Sequence, residues 1–233
     1  MQTFRLSIAL VASMLFQALA VADGTSPSAE EMEAWFNDDA EFRIADVNEG
    51  ELTFLPNLQE VVSHKARAKN KIKILSSSAT DGWVEMAQCH SGLDAVPLAQ
   101  LVFPEYIIRG LHVTRQKGIA TAEVEGKSIQ MTDLTRGAEL CVSMQIKALQ
   151  RNDQGHYILS NGPYQRRFLD GYYPMKLELE IDYSHSSLQP VSIVPASQPG
   201  MAVSHEKGQV VINAQFEGVL RTRVGFAPAK VSL

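Results

Sequence analysis

Apolar and polar residues alternate with a period of two through most of the chain after residue 40. In the segment 175–182, MKLELEID, each apolar residue is followed by a charged one. Because successive side chains of a strand point to opposite faces, this pattern predicts a strand with one apolar face and one wet face. Three further segments share it, with apolar-face positions at Leu140, Val142, Met144, Ile146 and Ala148, at Val210, Ile212, Ala214 and Phe216, and at Leu220, Thr222, Val224 and Phe226.

Short turn sequences separate these segments. Short connections join antiparallel neighbours, because parallel pairing needs a crossover of a dozen residues or more. The sequence therefore predicts an all-β fold, an antiparallel β-sandwich that is Ig-like or jelly-roll-like, with a barrel as the second choice. The turn sequences are TDGW (80–83), RQKG (115–118), EGKS (125–128), RNDQGH (151–156) and HEKG (205–208).

Residues 1–22 have the features of a secretory signal peptide. Arg5 precedes an apolar run, and small residues follow it up to two alternative cleavage sites, after Ala20 or after Ala22. The apolar run is shorter than the roughly 20 residues that cross a bilayer. We therefore expect an exported protein, periplasmic or extracellular, with no transmembrane span in the mature chain.

The rest of the chain divides into a short N-terminal helical segment and one β domain. In residues 23–40, Ser28 lies three positions before Glu31, which is the spacing of a capping box at a helix start. Residues 41–233 are predicted to form a single β-sandwich domain. Within it, the Pro- and Ser-rich excursion 184–208 is expected to be an edge segment or a linker, because proline cannot donate to a strand ladder.

The chain has two cysteines, Cys89 and Cys141. In an oxidising compartment they are expected to form a disulfide that ties two strands and holds the layers of the sandwich together. No motif for a metal site, a cofactor or a catalytic nucleophile is found, since HExxH and GxSxG are both absent. We therefore assign no metal, no cofactor and no catalytic residue.

The net charge of −5 gives the protein no general attraction to nucleic acid or anionic lipid. A basic patch would have to act locally. The segment SHKARAKNKIKIL (63–75) contains such a patch, but it lacks the interleaved aromatic residues of single-strand binders, so nucleic acid is not an expected partner.

In that basic segment, a cation stands at every second position, at Lys65, Arg67, Lys69, Lys71 and Lys73. As a strand, it would place all five on one face. Two interpretations remain open: a solvated or edge-protecting face, and a binding strip for an anionic ligand. If the two strands are neighbours, a second row compensates these cations, since acids alternate in the same way at Glu178, Glu180 and Asp182.

The segment NGPYQRRFLDGYYPM (161–175) is the densest cluster of aromatic residues, Arg, Gly and Pro. Arg and Tyr together form good recognition surfaces. We therefore take this loop as a candidate ligand or partner site. The alternative is a structural connection in which Phe168 and a Tyr close the end of the sandwich and an Arg pairs with Asp170. The candidate site residues are Tyr164, Arg166, Arg167, Asp170, Tyr172 and Tyr173.

Together these features predict an exported, non-enzymatic binding protein. Its partner would be a protein or an anionic component of the cell envelope. The alternative is an envelope hydrolase that acts on glycan or peptide through carboxylates that the sequence does not identify. The oligomeric state is left open.

Overall fold

A computed structural model of the chain describes residues 48–56 and 66–229, which fold mostly into β-strands. The predicted signal peptide, the predicted N-terminal helical segment and Lys65 lie outside the described residues. The described helix, α1, has four residues, Ser78–Asp81. In the part of the chain that is described, no helix has the length and apolar character needed to cross a membrane.

The strands are numbered in chain order. Their bounds are β1 Thr53–Phe54, β2 Arg67–Lys73, β3 Trp83–Leu93, β4 Val96–Val102, β5 Ile108–Lys117, β6 Thr121–Glu125, β7 Ser128–Leu134, β8 Ala138–Lys147, β9 Leu149–Arg151, β10 Tyr157–Tyr164, β11 Arg167–Phe168, β12 Gly171–Tyr172, β13 Met175–Asp182, β14 Leu188–Val194, β15 Met201–Glu206, β16 Gln209–Glu217 and β17 Leu220–Pro228.

These strands form a β-sandwich. The large sheet has eight strands in the order β1-β16-β13-β2-β3-β8-β5, with β15 also paired to β16. A four-stranded sheet has the order β14-β17-β10-β9, a three-stranded sheet the order β4-β7-β6, and β11 and β12 form a small hairpin. The all-β sandwich prediction is confirmed, and no sheet among residues 48–56 and 66–229 closes into a barrel.

The core is one cluster of buried side chains drawn from all three larger sheets. The predicted apolar faces supply most of it. On β13, for example, Leu177, Leu179 and Ile181 are no more than 2% exposed, while the charged residues between them face outwards. Removal of these faces from water is the main force that holds the sheets together.

One strand pair differs from the expected antiparallel arrangement. Strands β2 and β13 run parallel, with Lys69 opposite Glu178 and Lys71 opposite Glu180. The expectation that pairing is antiparallel throughout is therefore wrong at this pair. Turn lengths restrict only strands that are consecutive in sequence, and the chain between β2 and β13 forms ten other strands.

The segment 184–208 contains two strands at sheet edges. Among the described strands, β14 pairs only with β17, and β15 pairs only with β16. Pro190 lies in β14 next to a register shift. The missing N–H of proline is tolerated there because the outer side of an edge strand has no partner to lose.

The predicted disulfide is confirmed, but it lies within one sheet. The sulfur atoms of Cys89 and Cys141 are 2.14 Å apart, and the two residues are direct partners on the antiparallel strands β3 and β8. The expectation that the bridge holds the layers together is wrong, because both cysteines belong to neighbouring strands of the eight-stranded sheet.

Candidate functional site

The predicted row of cations lies on β2, beside the predicted row of acids on β13. Lys69 contacts Glu178 at 2.6 Å and Lys71 contacts Glu180 at 2.7 Å. The hydrogen bond that Lys71 donates to Glu180 raises the pKa of Lys71. Because β2 has strands on both sides, the edge-protecting interpretation is wrong. Two of the four described cations of the row are thus compensated within the protein.

A shallow groove of about 480 Å³ lies on the outer face of the large sheet. Arg109 is held beside it, because its guanidinium lies 4.1 Å from the centre of the Trp83 ring and donates to Gln145 at 2.7 Å. Among described residues, Lys73 makes no ion pair within 4.0 Å. Cations outnumber acids in the groove, whose charged and titratable lining residues are Lys71, Lys73, Arg109, His112 and Glu85.

The candidate loop folds into the hairpin β11–β12, which is fixed at its base by Arg166. The guanidinium donates twice to Asp94, at 2.7 and 3.1 Å, and once to the carbonyl of Pro174 at 3.4 Å. It also lies over the rings of Phe168 and Tyr173, at 5.2 and 5.4 Å. The side chains of Arg166 and Asp94 are only 15% and 21% exposed, so Arg166 is a structural residue of the hairpin.

The expected pairing of an Arg with Asp170 is not observed. Asp170 instead accepts a hydrogen bond of 2.5 Å from the hydroxyl of Tyr173. This bond raises the pKa of Tyr173, because ionisation of the phenol would place two negative charges together. The difference arises because Asp94 lies nearer to Arg166 in space, although it is distant in sequence.

The outer part of the hairpin carries the side chains that remain available to a partner. Arg167 is exposed and lies over the half-buried Tyr172 ring at 5.4 Å. Leu169, at the tip, is fully exposed. Tyr164 lies elsewhere, in the core at 5% exposure, so the structure splits the six candidate residues between a surface and the interior.

A second candidate site, which sequence reasoning missed, is a cluster of polar residues inside the sandwich. Asn70 and Gln88 are partners on β2 and β3, and His90 is two positions further along β3. Their side chains lie on the inner face of the large sheet. Asn70 donates to the Tyr164 hydroxyl, and Asn161 completes the cluster from the four-stranded sheet.

The segment that begins with Asn161 is held against the core by hydrogen bonds to the Tyr106 side chain and by a close backbone approach at Gly162. The Tyr106 hydroxyl donates to Asn161 Oδ1 at 2.6 Å and accepts from the Gly162 N–H at 2.6 Å. Gly162 has φ +108°, and a Cβ there would lie 2.7 Å from the carbonyl oxygen of Leu220. Only glycine tolerates that approach and that backbone conformation.

Several side-chain atoms of this cluster have no hydrogen-bond partner among the described residues. They are Asn70 Oδ1, Gln88 Oε1, His90 Nε2 and Asn161 Nδ2. Burial lowers the pKa of His90 to about 4, so its imidazole is neutral at physiological pH. Burial also raises the pKa of Tyr106 and of Tyr164. The cluster is therefore polar but uncharged.

The cluster lines a cavity of about 330 Å³ between the sheets. Exposed residues border it, including Gln100 and Val102 on one side and Gln165 and Arg167 on the other. A second cavity of about 250 Å³ has six lining residues in common with the first and is mostly apolar. Arg67, the first described cation of the β2 row, lines this second cavity.

A sequence signal for the cluster existed. Period-two alternation assigns Asn70, Gln88, His90 and Asn161 to inner faces, and a polar residue at a core position is unusual unless it has a role. The signal is therefore a polar residue at a position where the alternation predicts an apolar one.

Carboxylates are scarce in both cavities. Among their lining residues the single carboxylate is Asp94, which is paired with Arg166. The described residues contain no group of three or more His, Cys, Asp or Glu side chains that could hold a metal ion.

Comparisons with known proteins give distant structural similarity only. No known family and no curated protein matches the chain. An M1 zinc metallopeptidase from Deinococcus radiodurans is similar over 78% of this chain and 43% of that one, with 7% identity and a TM-score of 0.35. A variant of that class bound to the peptide Tyr-Ser-Ala, also from Deinococcus radiodurans, covers 76% and 43%, with 6% identity and a TM-score of 0.34. Similarity at this level does not bear on function.

Proposed function

We propose that this chain is an exported, non-enzymatic binding protein that contacts a protein partner through the hairpin β11–β12. The observation that carries the proposal is a fully exposed Leu169 at the tip of a hairpin whose base is held by the Arg166–Asp94 pair. A rigid apolar tip loses little entropy when it is buried by a partner. The signal-peptide features and the disulfide support export.

The side chains around the tip favour a protein surface as the partner. Arg167 and Tyr172 are residue types that concentrate binding energy at protein interfaces. The Arg167 guanidinium lies 5.4 Å from the centre of the Tyr172 ring, a cation–π contact that favours one arrangement of the two side chains before a partner binds. Asp170 and Tyr173 add a polar rim on the other side, so the tip combines an apolar centre with hydrogen-bonding edges.

Replacing Arg167 by Ala, or Leu169 by Ser, is expected to weaken retention of a partner from envelope extracts at least about tenfold, the effect of losing one interface residue worth about 1.4 kcal/mol. Both side chains are exposed, so the melting temperature should change little. The matched control is Val191→Ser, because Val191 is an apolar residue, 57% exposed, on strand β14 of the four-stranded sheet, which does not include the hairpin. If all three variants retain the partner equally well, the hairpin is not the contact site.

An anionic envelope component is a second candidate partner, supported by the outer groove. Lys73 and Arg109 line it, and neither makes an ion pair with a described residue within 4.0 Å. Their charges remain available to phosphate or carboxylate groups. The hydrolase alternative has no comparable observation in its favour.

The double replacement of Lys73 and Arg109 by Gln is expected to weaken binding to phosphatidylglycerol vesicles about tenfold or more, because a cation near an anionic surface contributes about 1 kcal/mol. Vesicle co-sedimentation at low salt measures this. Lys69→Gln is the control, since Lys69 is already paired with Glu178. If Lys69→Gln weakens binding as much as the double variant, or if phosphatidylcholine vesicles bind equally, the groove is not an anion site.

A further inference from the structure

We propose that the 330 Å³ cavity between the sheets binds a small, uncharged, hydroxyl-rich molecule of monosaccharide size. The inference is independent of the hairpin proposal, because the polar atoms concerned are buried and cannot touch a partner protein. It rests on the orphaned atoms of the interior cluster and on the shape and charge of the space they face.

The unpaired polar atoms point to a ligand with both donors and acceptors. Asn70, Gln88 and Asn161 are no more than 5% exposed, yet each has an amide atom without a partner, as does the imidazole of His90. Leaving such atoms unpaired costs about 1–3 kcal/mol each. Two of the atoms are carbonyl oxygens that accept, and one is an amide nitrogen that donates. Hydroxyl groups satisfy both kinds, because each donates one hydrogen bond and accepts others.

The charges around the cavity favour an uncharged ligand. Its lining includes no carboxylate, and its one permanently charged residue, Arg167, is exposed at the border. The imidazole of His90 is neutral, since burial lowers its pKa to about 4. An ionic ligand would therefore lose its hydration without gaining a counter-charge beside the interior cluster, which is strongly unfavourable.

The volume of the cavity and its lining residues agree with this class of ligand. Cavities that hold small molecules begin at roughly 300 Å³, so the space suits a single ring. Phe103, Tyr106 and Tyr164 are among the lining residues and offer apolar ring surface for the C–H groups of a sugar. The apolar second cavity, which has lining residues in common with the first, could take a short apolar substituent on that ring.

The test is calorimetric titration of the full-length protein with D-glucose, D-galactose and N-acetyl-D-glucosamine, with glucose 6-phosphate as the charged counterpart. We expect at least one neutral sugar to bind with a Kd of about 1 mM or lower. Gln88→Met keeps the side-chain length and removes an acceptor that has no partner among residues 48–56 and 66–229. It should raise the Kd at least about tenfold, the equivalent of one lost hydrogen bond of about 1.4 kcal/mol, without lowering the melting temperature.

The matched control is Thr222→Val. Thr222 is 1% exposed and its hydroxyl oxygen is also buried without a partner, but it does not line the cavity. Its replacement should leave the Kd unchanged. The proposal is overturned if none of the three sugars binds, if glucose 6-phosphate binds as tightly as glucose, or if Gln88→Met binds as tightly as the wild type.

Discussion

Replacement of Arg166 by Ala is expected to destabilise the protein by about 2–3 kcal/mol, the cost of losing charged hydrogen bonds and leaving a largely buried carboxylate unpaired. Asp94 would lose both donated bonds, at 2.7 and 3.1 Å. The rings of Phe168 and Tyr173 would also lose the guanidinium that lies over them. Urea unfolding followed by tryptophan fluorescence measures the change.

The control for this prediction is a second arginine with a similar ion pair at the surface. Arg221 contacts Glu105 at 2.6 Å, but the two side chains are 54% and 47% exposed. Solvent screening reduces the worth of such pairs to about 0–1 kcal/mol. If Arg221→Ala proves as destabilising as Arg166→Ala, the hairpin is not anchored as we describe.

Loss of the disulfide is expected to have the largest effect on stability. On the loop-closure account, a bridge between residues 52 apart in sequence stabilises by about 4 kcal/mol. For a chain of this size, the double variant Cys89→Ser/Cys141→Ser should melt about 8–16 °C lower than the oxidised protein. Scanning calorimetry measures this difference.

The position of the disulfide indicates how it stabilises the protein. Cys89 and Cys141 are already neighbours through backbone pairing of β3 and β8, so the bridge adds no new link between sheets. Its effect must come mainly from the unfolded chain, whose freedom it restricts. Reduced wild-type protein should therefore have the same melting temperature as the double variant. A double variant that melts within about 2 °C of the oxidised protein, less than 1 kcal/mol for this chain length, would contradict the expectation.

The sequence predicts which residues form the core more reliably than it predicts how the strands are arranged. Leu177, Leu179 and Ile181 are buried as the alternation predicts, because the period-two pattern is a local property of the chain. The order of the eight strands and the parallel pairing of β2 with β13 depend on contacts between distant segments. A single sequence contains no signal for those contacts.

The contacts of the candidate site residues also depend on distant segments of the chain. Composition marks the loop 161–175 as a candidate, but it does not show that Arg166 pairs with Asp94, which is 72 positions away. The rows on β2 and β13 were both visible, and only the structure shows that they are adjacent. Period-two alternation assigns Asn70, Gln88 and Asn161 to inner faces, but only the structure shows that these three side chains line one cavity.

Photo-crosslinking from the hairpin tip tests the central claim most directly. A p-benzoylphenylalanine residue replaces Leu169 in one variant and Val191 in another, both exposed apolar positions, and the cells are irradiated before the envelope is extracted. The proposed function predicts a discrete protein adduct from position 169 that Arg167→Ala suppresses, and no such adduct from position 191. Absence of an adduct at 169, or the same adduct from both positions, would contradict it.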